Sequence, residues 1–343
     1  MRAHLRTAIV VVLAVAMLAW FLNDANLADV WSEIQRARLE YLALALGSMV
    51  LTYFLRAFRW QYLLLPLGRP HFGIVFKTTV IGFAASTLLP ARAGEVIRPY
   101  LLARREGFNA TAAFATIIVE RLLDMLTVLL LFAGYLLLAG PGEGTTASAD
   151  VFRALKVGGL VVGGVSLAGL AFMMVAAGKP EAFSRWALRI ERVLPARIAH
   201  AVAHLVKTFL EGLAVVRQPQ RLAITSALSI PLWLSIALGI WATSQAYHID
   251  MSYPGSFVMM AILVVGVAVP TPGAVGGFHP AYRIGATAIF GADNDRAVGA
   301  AIVLHALSFV PVTILGALFM AQEGLSLSRV KGIAADATRE EAS

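Results

Sequence analysis

Two apolar segments of the chain are interrupted, the first by LPARAGEVIRPY at residues 89–100 and the second by VPTPGAVGGFHPAY at residues 269–282. Each interruption places proline, glycine and ionisable residues beside an apolar run. Proline and glycine end or kink helices, so backbone N–H and C=O groups lose their helical partners there. In lipid, such a break is tolerated only where it is buried in protein or lines a water-filled cavity. Two broken apolar segments at corresponding places in two halves of a chain indicate a transporter-like site.

The composition is typical of an integral membrane protein. Of the 343 residues, 59% are hydrophobic, and apolar runs of about 20 residues, the length that crosses a hydrocarbon core, recur along the chain. There is no cysteine, which excludes disulfides and thiolate chemistry. The net charge of +8 is explained by lysine and arginine at the cytoplasmic membrane surface. We expect no nucleic-acid partner, because no basic and aromatic binding module is visible.

Apolar runs long enough to cross a membrane predict six full spans. They lie at about 5–22, 41–64, 110–139, 151–177, 222–247 and 297–320. Two further apolar pieces, about 72–89 and 256–270, lead into the interruptions. The first run is interpreted as a retained span rather than a signal peptide, because no small-residue cleavage site follows it. The polar stretch 179–221 is interpreted as an amphipathic helical region.

The distribution of lysine and arginine decides between two topologies. If every apolar piece crossed the membrane, the arginines of 92–105 and the basic stretch 179–221 would lie outside, against the positive-inside rule. If both interrupted pieces are re-entrant hairpins, most of the 28 lysines and arginines lie inside. The external loops 140–150 and 248–255 then contain neither residue.

This second topology predicts an inverted repeat. The first repeat, about 5–140, and the second, about 151–320, contain the same order of elements in opposite orientation, as in many alternating-access transporters. We therefore predict an all-α polytopic membrane protein, with a single domain over 1–343. It has six full spans, two re-entrant helical hairpins, a cytoplasmic tail at 321–343 and both termini in the cytoplasm.

The first interruption contains the richest chemistry. If 94–104 is helical, Gly94 begins the helix and its free N–H groups form an anion site. Arg92 and Arg98 can bind phosphate bidentately, and Glu95 and Arg98, three residues apart, can pair. The functional interpretation is a phosphate-binding hairpin tip. The alternative is a cytoplasmic loop with ordinary topogenic charges.

The predicted span 110–139 contains Glu120, Arg121 and Asp124. The helical spacing lets the three form a self-neutralising cluster. Charges at this depth cost at least about 2.5–3.5 kcal/mol each, so they should face the protein interior. We interpret them as a polar lining that partners the arginines of the hairpin. The alternatives are a structural ion-pair cluster and a helix whose first turns project into the cytoplasm.

Arg56, Arg59 and Trp60 lie near the end of the second predicted span. Taken alone, they are typical of snorkelling arginines and an interfacial tryptophan. The other interpretation is a mouth for a lipid head group.

In the second interruption, Gly273 and Gly276 allow unwound backbone beside His279 and Arg283. His279 and His305 suggest a two-histidine metal site, but no third ligand has suitable spacing. We therefore expect no metal and no cofactor.

Four motifs give the chain a family resemblance. They are RxxRW at 56–60, LPxRxGExxR at 89–98, ERxxD at 120–124 and PGxxGG at 272–277. Over about residues 5–320 the chain resembles the lysylphosphatidylglycerol synthase transmembrane region, a family of flippase-like integral membrane proteins. Many members have an acidic residue just after the glycines, where this chain has Phe278 and His279.

The resemblance implies a lipid flippase of the bacterial cytoplasmic (inner) membrane that moves an anionic or phosphate-containing head group. In bifunctional members a soluble domain synthesises the lipid; no such domain is visible here, so we expect a transporter rather than an enzyme. The expected partner is a membrane lipid, and a homo-oligomer is left open. Two alternatives remain, a secondary transporter of a small soluble anion and a non-transporting membrane scaffold. The residues predicted to bind substrate are Arg56, Arg59, Arg92, Glu95, Arg98, Glu120, Arg121, Asp124, Gly273, Gly276, His279 and Arg283.

Overall fold

The computed structural model describes residues 26–89, 92–138, 149–178, 218–269 and 271–323. These residues form helices joined by short connections, and none of them lies in a β-strand. The predicted all-α class is therefore confirmed.

Ten α-helices follow one another along the described residues. They are α1 (Leu27–Arg36), α2 (Leu39–Leu64), α3 (Phe72–Leu88), α4 (Gly94–Glu106), α5 (Ala110–Leu138), α6 (Ala149–Gly178), α7 (Pro219–Ala246), α8 (Gly255–Ala268), α9 (Val275–Phe290) and α10 (Asn294–Gln322).

Four of these helices contain segments that are long and apolar enough to cross a membrane: α2, α6, α7 and α10. They coincide with four of the six predicted spans. The predicted span 110–139 corresponds to α5, which has 29 residues but is not among the four. The predicted span 5–22 lies outside the described residues, as do most of the stretch 179–221 and of the tail. The count of six spans and the cytoplasmic location of both termini stay predictions.

Both interrupted segments form a pair of short helices on either side of a break. In the first pair, α3 ends at Leu88 and α4 begins at Gly94. In the second, α8 ends at Ala268, a 3-10 turn covers Pro272–Ala274, and α9 begins at Val275. Each break contains a non-glycine residue in the left-handed region, Arg92 with φ 52° and Ala274 with φ 57°. The sharp change of direction therefore depends on an uncommon backbone conformation.

Each helix pair closes on two glycines. A Cβ added to Gly94 would collide with the carbonyl oxygen of Gly82, and one added to Gly277 would collide with the carbonyl oxygen of Gly266. One turn further along α4, the Cβ of Arg98 lies 2.7 Å from where a Gly82 Cβ would be. Only glycine permits backbones to approach this closely. The two pairs are therefore built by the same close contact, between antiparallel helices.

The described helices also show an internal correspondence between the two halves. Helices α2 to α5 run long, short, short, long, and α7 to α10 repeat that order. The two leading helices, α2 and α7, pack extensively against each other, and the contact of α3 with α10 is matched by that of α8 with α5. This correspondence is what an inverted repeat requires, while the opposite orientation of the halves in a membrane stays a prediction.

Candidate functional site

The two breaks meet at a cavity of about 150 Å³. The first break contributes charged residues to its wall, and the second contributes uncharged ones. The residues from the two breaks are Leu89, Arg92, Gly94 and Glu95 on one side and Val269, Thr271, Gly273 and Ala274 on the other. Both interruptions thus contribute to one site, which also receives Arg98 and Arg121 from α4 and α5.

Arg92 bridges the two halves. Its Nη2 donates a hydrogen bond to the carbonyl oxygen of Val267, at the end of α8, over 2.8 Å. Its Nη1 lies 3.7 Å from Glu95 Oε1, and 43% of the side chain is exposed. Because the left-handed backbone of Arg92 and its bond to Val267 fix the direction of the side chain, part of the guanidinium stays available to the cavity.

The N-terminus of α4 also faces the cavity. Gly94 and Glu95 line it, and the preceding residue, Ala93, has no side chain that could cap the helix. The predicted helix at 94–104 is confirmed as α4, and the first N–H groups of a helix carry a partial positive charge. This end of α4 therefore favours an anion.

The predicted pairing of Glu95 with Arg98 is wrong in the described structure. Arg98 Nη1 instead donates to Glu120 Oε1 at 3.1 Å, and its guanidinium carbon lies 3.8 Å from the centre of the Trp60 ring. Glu95 is partly exposed, whereas Glu120 is fully buried and therefore needs cationic partners. Arg98 supplies one of them and is itself sheltered against an aromatic face.

The snorkelling interpretation of Arg56, Arg59 and Trp60 is also wrong. Arg59 is fully buried, and its Nη1 lies 2.6 Å from Asp124 Oδ1 and 2.7 Å from Ser229 Oγ. Arg56 Nη1 lies 3.4 Å from Asp124 Oδ2. The physical reason is that carboxylates inside the protein attract the arginines inward, because a buried carboxylate without a cation would be costly.

Glu120, Arg121 and Asp124 therefore do more than neutralise one another. Arg121 does pair with Asp124, at 3.5 Å, but 31% of its side chain is exposed, and its Nε lies 3.6 Å from Glu95 Oε1. Asp124 Oδ1 accepts a further hydrogen bond from Trp233 Nε1 at 2.8 Å. The three charged residues of α5 thus connect α2, α4 and α7. Arg121 lines both of the cavities described in this section, Asp124 lines the apolar one, and Glu120 lines neither, so a substrate role for the three stays a prediction.

Two further residues of the site, Ser229 and Trp233, are not predicted from the sequence. Both lie in the middle of α7, a helix apolar enough to cross a membrane. The only signal was a tryptophan far from either end of a span, where an indole N–H needs a buried acceptor. Neither residue belongs to one of the four motifs.

The site has an excess of positive charge. Five guanidinium groups, from Arg56, Arg59, Arg92, Arg98 and Arg121, face three carboxylates, from Glu95, Glu120 and Asp124. The net charge of these eight side chains is +2. Among the five arginines, Arg92 and Arg121 are the most exposed, so the excess lies at the cavity wall.

A second cavity, of about 270 Å³, adjoins the first. It lies between the two halves and is mainly apolar, with methionine, leucine, valine and phenylalanine side chains in its wall. Five residues line both cavities: Phe83, Arg92, Arg121, Val267 and Phe309. The positive site therefore opens into an apolar space.

Only one of the residues of the second interruption that are predicted to bind substrate lines a cavity described here. Gly273 lines the polar cavity, whereas Gly276, His279 and Arg283 line neither cavity. Gly276 donates its N–H to Thr271 Oγ1 at 3.0 Å. His279 and Arg283 are buried one turn apart on α9. A substrate role for these three residues stays a prediction.

The two histidines near the second break stabilise its backbone. His279 Nδ1 lies 2.9 Å from the carbonyl oxygen of Val275, and His305 Nε2 lies 2.7 Å from that of Gly273. Their ring centres are 4.6 Å apart. In the part of the chain that the structure describes, no three histidine, aspartate or glutamate side chains are grouped as metal ligands.

The chain belongs to the lysylphosphatidylglycerol synthase TM region family, whose model matches residues 7–316. The resemblance found in the four motifs is thereby confirmed. The chain is 24% identical over 329 residues to the protein named glycosyltransferase AglD of Haloferax volcanii, covering 89% of this chain and 52% of that protein. It is 30% identical over 109 residues to the UPF0104 membrane protein MJ1595 of Methanocaldococcus jannaschii, covering 29% of this chain and 32% of that protein.

The chain thus spans about half of the first of these relatives and about a third of the second. The family match covers the transmembrane region alone. Together with the apolar helices, this match identifies the chain as an integral membrane protein.

Proposed function

We propose that the protein is a lipid translocase, which moves a lipid with a phosphate-containing, anionic head group across the bacterial inner membrane. The observation that carries this proposal is that Arg92 and Arg121 line both the polar and the apolar cavity. A ligand at their junction would present its phosphate to two guanidinium groups and its hydrocarbon to the apolar wall.

The arrangement lowers the barrier that a head group meets in the membrane. A charged group in hydrocarbon is unstable because it loses its hydration without finding a partner. Arg92, Arg121 and the N-terminus of α4 would replace that hydration at the polar cavity. The acyl chains would stay in an apolar environment throughout.

The apolar cavity favours a lipid over a small soluble anion. It is the larger of the two spaces, about 270 Å³ against about 150 Å³, and a soluble anion would leave it without a function. Its methionines, such as Met49, Met125 and Met260, can adapt to a flexible chain. A non-transporting scaffold would have no use for partly exposed arginines at an internal cavity.

The direct test is movement of lipid in vesicles that contain the purified protein. Acyl-chain-labelled phosphatidic acid and phosphatidylglycerol are incorporated, and a membrane-impermeant reductant reports how fast label from the inner leaflet becomes accessible. We expect movement well above that in protein-free vesicles for at least one of the two lipids. For Arg92→Gln we expect an initial rate at least about 10-fold lower, equivalent to about 1.4 kcal/mol in the barrier.

The matched control is Arg104→Gln. Arg104 lies on the same helix as Glu95 and Arg98, is exposed, and lines neither cavity. Its rate should equal that of the unchanged protein. Equal rates for Arg92→Gln and Arg104→Gln would contradict the proposal, as would rates no higher than those of empty vesicles.

A further inference from the structure

The two buried carboxylates of the site are already engaged by arginines. Glu120 is fully buried, and its Oε1 lies within 3.5 Å of Arg56, Arg59 and Arg98. Asp124 is bonded by Arg59 Nη1 at 2.6 Å, and only 3% of its side chain is exposed. A ligand cation could reach neither without separating a buried ion pair, which is strongly unfavourable.

Glu95 is the more accessible acid, but two arginines hold it. Its side chain is 34% exposed, and its Oε1 lies 3.7 Å from Arg92 Nη1 and 3.6 Å from Arg121 Nε. The three carboxylates of the site are therefore occupied in holding its arginines.

The excess of two positive charges defines what the site favours instead. Uncompensated charge in a low-dielectric environment is unfavourable, so a ligand that neutralises both charges gains more than one that neutralises a single charge. A phosphate monoester carries a charge of about −1.5 to −2 at pH 7 and three strong acceptor oxygens. Two guanidinium groups and the N–H groups at the start of α4 provide donors for all three oxygens.

We propose that the junction of the two cavities selects amphiphiles with a doubly negative head group, such as a lipid phosphate monoester or diphosphate. This proposal rests on the proposed function, because it assumes that the ligand occupies the space shared by Arg92 and Arg121. It goes further by stating the head-group charge that the site favours.

The preference for a doubly negative head group is called the charge rule below. Binding to the full chain in detergent tests this rule without any requirement for transport. The probes are dioctanoyl phosphatidic acid, phosphatidylglycerol and phosphatidylethanolamine, together with inorganic phosphate. At pH 8 we expect phosphatidic acid to bind at least about 10-fold more tightly than phosphatidylglycerol, and phosphatidylethanolamine to bind more weakly than either. Inorganic phosphate should bind more weakly than phosphatidic acid; equal affinity would show that the hydrocarbon contributes nothing and would overturn the lipid part of the proposal.

Two substitutions at Arg92 separate charge from structure. Arg92→Gln should reduce the preference for phosphatidic acid over phosphatidylglycerol to about threefold or less. Arg92→Lys, which keeps the charge but not the bidentate fork, should retain the preference while weakening both affinities. Arg104→Gln should leave the preference unchanged. A preference that survives Arg92→Gln intact would overturn the proposal.

The pH dependence of the binding preference provides a second test. Lowering the pH from 8 to 5 removes the second charge of the phosphate monoester, whose second pKa is about 6, while phosphatidylglycerol keeps its single charge. The preference should therefore fall towards unity, and phosphatidylglycerol controls for any effect of pH on the protein itself. A preference independent of pH would contradict the charge rule.

The transport assay distinguishes failure of this inference from failure of the proposed function. If phosphatidylglycerol crosses as fast as phosphatidic acid, the translocase proposal stands and the charge rule fails. If neither lipid crosses faster than in empty vesicles, the translocase proposal fails, while the binding preference is still measured independently.

Discussion

The two breaks have similar backbones and different chemistry. Each joins two short helices that close on a glycine pair, and each contains a left-handed residue. The first break and the start of α4 carry Arg92, Glu95 and Arg98, whereas the second break, with Thr271 and Gly273, contains no charge. The shape is thus repeated, and the charge is concentrated in one half.

The rest of the site follows the same division. All five arginines and all three carboxylates come from α2, α4, α5 and the first break. The second half contributes neutral groups: the Val267 carbonyl, the Ser229 hydroxyl and the Trp233 indole. One half therefore provides the anion site, while the other orients its arginines and supplies much of the apolar wall. Changes in the first half should affect charge, and matched changes in the second half should affect structure alone.

The largest expected effect is loss of a buried charge from the first half. Asp124→Asn leaves Arg59, Arg56 and Arg121 without their shared carboxylate, and breaking a buried ion pair in this way costs about 3–5 kcal/mol. The free energy of unfolding, measured by SDS titration in mixed micelles, should fall by that amount.

The matched position in the second half is Ser308, which is as far from the start of α10 as Asp124 is from the start of α5. Its hydroxyl donates to the Leu304 carbonyl of its own helix at 2.7 Å, and it also makes a weak contact with Met49 Sδ at 3.8 Å. Ser308→Ala should therefore change stability by less than about 1 kcal/mol. Equal losses for the two variants would refute the asymmetry between the halves.

Much of this division could be predicted from the sequence, because its signals are local. Pro and Gly beside apolar runs located both breaks, and the spacing of Glu120, Arg121 and Asp124 predicted an inward-facing cluster. The family resemblance rested on the same residues, since the motifs are the segments that form the first hairpin and its ion-pair network.

What the sequence could not show is which charge pairs with which. Helical spacing favoured Glu95 with Arg98, but α5 brings the buried Glu120 to Arg98. The sequence around Arg56 and Arg59 is typical of snorkelling arginines, because their partners lie more than 60 residues away along the chain. Ion-pair partners on distant helices are determined by how the helices pack, and no local sequence pattern indicates that packing.

The next largest effect tests the repeated shape. Gly94→Ala and Gly277→Ala each add a Cβ that collides with the carbonyl oxygen of the facing glycine. Overpacking of this kind costs about 1–3 kcal/mol, and more where the backbone cannot shift. We expect similar losses of stability for the two variants, because the same contact closes both hairpins.

Gly134→Ala is the control, since nothing lies within 4 Å of the position where its Cβ would be. That substitution, in the interior of α5, should be neutral or stabilise the protein by about 0.4–1 kcal/mol. If only one of the hairpin variants were destabilised, the two glycine pairs would not be equivalent.

The smallest expected effect distinguishes how the two breaks are held. In the second break, Thr271 Oγ1 accepts the N–H of Gly276 at 3.0 Å, whereas α4 begins without a side-chain cap. Thr271→Val removes the acceptor at nearly constant volume and should cost about 1 kcal/mol. Thr287→Val in α9 removes a hydroxyl that bonds only within its own helix, to the carbonyls of Arg283 and Ile284, and should cost less. Because Thr271 carries no charge, its substitution should leave the preference for phosphatidic acid intact. Loss of that preference would show that the second break takes part in anion recognition. The assignment of the anion site to the first half alone would then be wrong.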